Sequence, residues 1–141
     1  MVHLSGSLLP PDSRFHHVGV ACRDLDDELA GLRLLGYESA GAPFSDPRQG
    51  IVGMFVEGAG PRLELLAPLP GSAVLDPWLR GGSRMYHLAY EVPDLEEAVS
   101  LARRADARQI SAPVPAVAFA ERRICFLMLR IRLLIELIEL A

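Results

Sequence analysis

Residues 17–30 read HVGVACRDLDDELA, and residues 87–100 read HLAYEVPDLEEAVS. Laid on one another they match at a constant offset: His17 with His87, Asp24 with Asp94, Leu25 with Leu95. Self-similarity of this kind sets an architecture before any single motif does. In each copy a histidine sits in a short β-branched and aromatic stretch, which predicts a strand. An aspartate then precedes leucines and acidic residues, which predicts a capped helix.

Working outward from the first copy, FHHVGVAC (15–22) is the strand, and Leu25, Leu29, Leu32 and Leu35 recur at helical spacing until Gly36 closes the helix. A loop, APFSDPRQG (42–50), leads to IVGMFVEG, and GAGP turns the chain into RLELLAPL, two antiparallel strands. In the second copy RMYHLAYEV (84–92) is the strand, and Asp94 caps LEEAVSLARRA, with acids in its first turn and arginines in its last. ARQISAP, PAVAFAE, RRICFLML and RLLIELIEL supply the remaining strands. By period alone the last of these reads equally as helix. The repeat decides, because its counterpart RLELLAPL is bounded as a strand by Pro and Gly. Glu136 then shares a face with Leu134 and Ile138.

Each module becomes strand, helix and three strands. The predicted fold is α+β, two βαβββ modules wrapping into a partly open eight-stranded barrel. Its expected parts are a loose arm over 1–14 and a single domain over 15–141, made of a module at 15–70, a linker at 71–83 with a short helical turn around Val74 to Leu79, and a module at 84–141.

Glu64 follows His17 at nearly the spacing at which Glu136 follows His87. In the barrel these four would converge, and two imidazoles with two carboxylates suit a divalent first-row metal, with Zn, Ni, Co, Mn and Fe all open. A lone strand histidine is more often packed in a core, and a strand glutamate more often faces solvent. The recurrence of both in both halves favours ligands. His16 points to the opposite face and His3 lies in the arm, so neither joins the set. Trp78, Phe44, Phe55 and Met54 stay open between pocket lining and ordinary core, with core the commoner fate.

The 141 residues suit one domain; half are hydrophobic and 23% charged, which excludes disorder. A net charge of -4 gives no general reason to bind nucleic acid. Cys22 and Cys125 lie in apolar company and read as buried reduced thiols rather than a disulfide. The apolar end, ICFLMLRIRLLIELIELA, carries Arg130, Arg132, Glu136 and Glu139, too many charges for a membrane span. Residues 1–14 lack the features of a signal peptide, so a cytoplasmic location is expected. A homodimer is expected too, since long exposed edge strands are a liability.

HHVGVACRDLDDEL, RLELLAPL, YHLAYEVPDLEEAV and LLIEL together resemble the vicinal oxygen chelate superfamily, over roughly residues 15–139. That superfamily includes glyoxalase I, methylmalonyl-CoA epimerase, extradiol dioxygenases and bleomycin or fosfomycin resistance proteins. The resemblance implies βαβββ modules and metal ligands from the first and fourth strands of each, which fall on His17, Glu64, His87 and Glu136. Among members the chain looks most like methylmalonyl-CoA epimerase. It departs from that pattern where Glu64 replaces the usual Gln, and where DPRQG puts Arg48 in place of the acid thought to move the α-proton. An arginine cannot be that base at neutral pH.

The activity implied is a metal-dependent isomerase, epimerase or lyase acting on a small carbonyl compound or acyl thioester through an enolate. Glu136 or Glu64 would move the proton, with Arg48 and Gln49 as substrate-binding groups. Three other readings share the scaffold: a small-molecule resistance protein that binds without chemistry, a dioxygenase, and a biosynthetic cyclase.

Overall fold

The computed structural model describes residues 7–141. His3 and the first part of the expected arm fall outside them. Two compact units are present, His17–Tyr86 and His87–Ala141, the second joined by the described residues up to His16.

The first unit runs β1 (Arg14–Ala21), α1 (Leu25–Leu32), β2 (Glu38–Ser39), β3 (Phe44–Asp46), β4 (Ile51–Gly58), β5 (Gly60–Pro68) and α2 (Asp76–Gly81). Its sheet has the order β2-β4-β5-β1, with β3 also on β4. β1 and β5 are parallel, β4 and β5 antiparallel. The second unit repeats the plan: β6 (Met85–Val92), α3 (Leu95–Arg104), β7 (Arg108–Gln109), β8 (Val114–Pro115), β9 (Arg123–Met128) and β10 (Leu134–Glu139), ordered β6-β10-β9-β7 with β8 on β9. β10 is a strand, parallel to β6 and antiparallel to β9, as the repeat requires. The α+β fold of paired βαβββ modules is therefore present.

Ten strands stand where eight were expected, because the second strand of each module is broken in two. The break ends at Pro43 in one and Pro113 in the other, each preceded by alanine. A proline has no N–H to give a ladder, so pairing lapses and resumes on the next residue. Those prolines stand at the same offset as the histidines, so the repeat runs further than the helix caps.

Both helices start alike. Asp24 accepts from the Asp27 amide at 2.9 Å, and Asp94 from the Glu97 amide at 2.9 Å. They end differently. α1 tightens into a 3-10 turn over Arg33–Leu35 before Gly36 stops it at φ 75°, and Leu35, expected inward, is 59% exposed. A 3-10 turn advances faster around its axis than an α-helix, which swings Leu35 off the buried stripe. α3 keeps its period for ten residues and buries Leu95, Ala98, Val99 and Ala102.

Each sheet has one face under its helix. In the first unit Val20, Met54, Leu63 and Leu65 pack with Leu29 and Tyr37. In the second, Val92, Cys125, Leu127, Ile135 and Leu137 pack under α3. Cys22 and Cys125 belong to these layers and are free thiols; burial pushes Cys22 up to about 11 and raises Cys125 as well. α2 lies within the stretch expected as linker and carries Trp78, whose ring is tilted 46° to that of Tyr86 with centroids 4.8 Å apart.

Candidate metal centre

The opposite face of each sheet holds the ionisable groups. Strand alternation places His17 on the face away from Val18 and Val20, and puts Glu64 between Leu63 and Leu65, which point into the core. Gly19 lies in register with Glu64, so the two carriers, β1 and β5, are adjacent and His17 is one same-face step away. Nε2 of His17 stands 3.1 Å from Oε1 of Glu64, with both side chains buried.

The second unit builds the same pair in the same register. Ala89 opposes Glu136 across parallel β6 and β10, again one same-face step from the histidine. Nε2 of His87 lies 3.3 Å from Oε1 of Glu136, and these too are buried. Leu134 and Ile138 share the Glu136 face, as its strand reading demands.

A buried imidazole beside a buried carboxylate has two ordinary explanations, a hydrogen-bonded structural pair or two ligands of one ion. The donor chemistry fits the second. Metal–ligand bonds of about 2.0–2.2 Å at right-angled to tetrahedral openings put neighbouring ligand atoms roughly 2.8–3.6 Å apart, a range that contains both contacts. Each pair is thus spaced as two adjacent ligands of one divalent cation would be.

Beside each pair stands a phenyl ring. Phe55 on β4 is directly across from Glu64, and its ring meets the His17 imidazole edge-on at 5.4 Å. Phe126 on β9 is directly across from Glu136 and meets His87 at 5.4 Å in the same T-shaped manner. Phe44 extends the first wall, 6.0 Å from Phe55, and its ring occupies the space over Gly53, where an added Cβ would approach it to 2.4 Å. Phe44 and Phe55 therefore belong to the histidine face, whereas Met54 is core. Phe126 escaped the sequence reading because it precedes its glutamate by one residue more than Phe55 does.

Arg48 and Gln49 lie on the turn between β3 and β4. Arg48 is exposed at that turn, and the Gln49 side-chain amide donates to Asp46 at 2.8 Å. Asp46 was also missed: its carboxylate is fully buried, and the ladders β3–β4 and β4–β5 set it on the face of Phe44, Phe55 and Glu64. The signal lay two residues before Arg48 in DPRQG. The turn is held at its far end as well, since Leu69 donates to the Gly50 carbonyl at 3.0 Å and Gly50, at φ 72°, leaves no room for a Cβ beside Ser72.

A duplicated βαβββ module with a buried histidine and glutamate in each copy defines the class, and comparison with known proteins agrees. Residues 16–126 match the model of the glyoxalase/bleomycin resistance protein/dioxygenase superfamily, and the chain belongs to that superfamily. It is 32% identical over 119 residues to an ethylmalonyl-CoA/methylmalonyl-CoA epimerase from Cereibacter sphaeroides, covering 81% of this chain and 87% of that one. Among solved structures it is similar to methylmalonyl-CoA epimerase from Mycobacterium tuberculosis, with a TM-score of 0.73, 27% identity, and 91% and 88% of the two chains covered. It is also similar to a variant of the Streptomyces coelicolor methylmalonyl-CoA epimerase in complex with 2-nitronate-propionyl-CoA. That match has a TM-score of 0.74 and 26% identity, and covers 91% and 97% of the two chains. Among the described residues no helix is long and apolar enough to cross a membrane.

Proposed function

We propose that the protein is a metal-dependent epimerase or isomerase of small acyl thioesters, in which His17, Glu64, His87 and Glu136 hold one divalent first-row ion. Each of the four offers one ligand atom, an imidazole nitrogen or a carboxylate oxygen. The observation that carries the reading is the duplicated pair: His Nε2 and Glu Oε1 meet at 3.1 Å in one unit and 3.3 Å in the other, buried and in the same strand register. The relatives named as methylmalonyl-CoA epimerases support the substrate class.

When bound, the ion supplies Lewis acidity next to the thioester carbonyl, which lowers the cost of forming an enolate. The chain's own groups do the rest. One of Glu136 and Glu64, leaving the ion when substrate binds, would take the α-proton from one face, and the other in its acid form would reprotonate the enolate on the opposite face, because Arg48 occupies the place of the acid that the epimerase pattern carries and cannot act as that base. Arg48, exposed on a turn fixed at both ends, binds an anionic substrate group bidentately, and Gln49 contributes a second polar contact from that turn. A homodimer in the cytoplasm completes the proposal.

Two measurements on the purified protein test it: metal content without chelators, and exchange of the α-proton of methylmalonyl-CoA and other acyl-CoA thioesters in D2O. One equivalent of a divalent metal with metal-dependent exchange is expected. Tight binding of a small molecule by metal-free protein with no exchange would instead assign it to the binding members of the superfamily, and oxygen uptake by iron-loaded protein to the dioxygenases.

A further inference from the structure

We propose that Phe55 and Phe126 are positioning residues that fix the two imidazoles, so that Nε2 of His17 and of His87 is presented for ligation; this rests on the metal-centre reading. Three observations converge. Both rings meet their imidazole at 5.4 Å, at interplanar angles of 75° and 83°, the edge-to-face arrangement that aromatic pairs prefer. Both stand directly across the ladder from the glutamate whose oxygen faces that same Nε2. Both are half-buried and lie outside the two apolar core layers, so neither is explained by packing under a helix.

An imidazole on a strand keeps rotational freedom about its last side-chain bond, and a ligand needs that freedom removed before the ion arrives. A hydrogen bond to the other ring nitrogen is the usual device. In both units an edge-to-face phenyl ring adds a steric and electrostatic restraint on the imidazole. In the first unit Phe44, seated over Gly53, backs Phe55 in turn.

The test is Co2+ titration of the wild type, Phe55→Leu, Phe126→Leu and the two Phe→Tyr variants, read by visible absorption and affinity, with melting curves alongside. Each Leu variant is expected to bind Co2+ roughly two- to tenfold more weakly, the size of one lost aromatic pair, with altered visible bands. The Tyr variants keep the ring and are expected to retain the wild-type spectrum. If a Leu variant does not fold, pentafluorophenylalanine at that position keeps the shape and inverts the ring's charge distribution, and the same shift is expected. Folded Leu or fluorinated proteins with unchanged affinity and bands overturn the positioning role alone. Wild-type protein that binds no Co2+ overturns the metal centre and this inference together.

Discussion

The two modules agree at His17 and His87 and at Glu64 and Glu136, and diverge in the segment that enters the third strand of each. The first has the turn after β3, with buried Asp46, exposed Arg48 and Gln49. The second has residues 116–122, a 3-10 turn over Val117–Phe119 with buried Ala116 and Phe119, where Ala120 and Glu121 take positive φ. One copy has become polar and tightly tied; the other has become a hydrophobic plug, with Phe119 edge-on to His16 at 5.4 Å and under Arg122. A duplicated scaffold can thus keep the same histidine–glutamate pair in each copy while the segment beside it diverges.

The largest effect should fall on what the modules share. His17→Ala and His87→Ala are each expected to weaken metal binding at least about 100-fold, more than the 10–100-fold typical of a supporting group. Metal content after dialysis checks this. Near-equal losses are the point. A variant that keeps full metal content would show that its module only packs its histidine.

Next come the divergent segments. Phe119→Ala removes a buried aromatic and is expected to cost about 3–5 kcal/mol. Asp46→Ala leaves the Gln49 amide facing a buried gap and is expected to cost about 1–3 kcal/mol. Urea unfolding measures both. The comparison holds if the first loss is mainly stability while the second also raises KM, because Asp46 stiffens the turn that carries Arg48.

The helix caps give a smaller pair. Asp24→Ala and Asp94→Ala remove identical 2.9 Å cap bonds, at about 1 kcal/mol each by the usual cost of a lost N-cap. α3 buries four side chains and should pass that loss to global unfolding. α1 buries only Leu29, so its loss should show as faster amide exchange confined to the helix. Equal global losses would mean that α1 is as firmly seated as α3.

The caps and histidines were legible because each is a single residue whose type is nearly dictated by its place: an acceptor before a helix, an odd imidazole in an apolar strand. Their recurrence settled even RLLIELIEL. The broken second strands were not legible, since pieces of two or three residues carry no alternation to read, although the paired Ala-Pro steps at Pro43 and Pro113 were available. Asp46 was obscured by Arg48, which drew the chemistry to the exposed end of the turn. Register did the rest. Phe55 and Phe126 become equivalent only once β4 and β9 are seen across from Glu64 and Glu136.

The smallest effect separates the modules by pH. Arg123 holds Glu139 through Nε at 2.9 Å and Nη2 at 2.7 Å, and also reaches Glu96 at 2.7 Å. The first module's comparable pair, Arg62 with Glu57, is more exposed. The Arg123 hydrogen bonds lower the Glu139 pKa, outweighing its slight desolvation. A carboxyl whose folded pKa lies below its unfolded value, about 4.3 for glutamate, contributes stability that is fully present above that value. The contribution is lost as pH falls through the folded pKa. Wild-type protein should therefore lose stability below about pH 4.3 with a slope that Glu139→Gln reduces. Salt should shrink the difference, because both partners are partly in solvent. Glu57→Gln breaks the more exposed pair and is expected to cost less stability at neutral pH than Glu139→Gln. If the two substitutions cost the same, the ion pairs are interchangeable surface charges, and the asymmetry between the modules stops at the turn carrying Arg48 and the segment around Phe119.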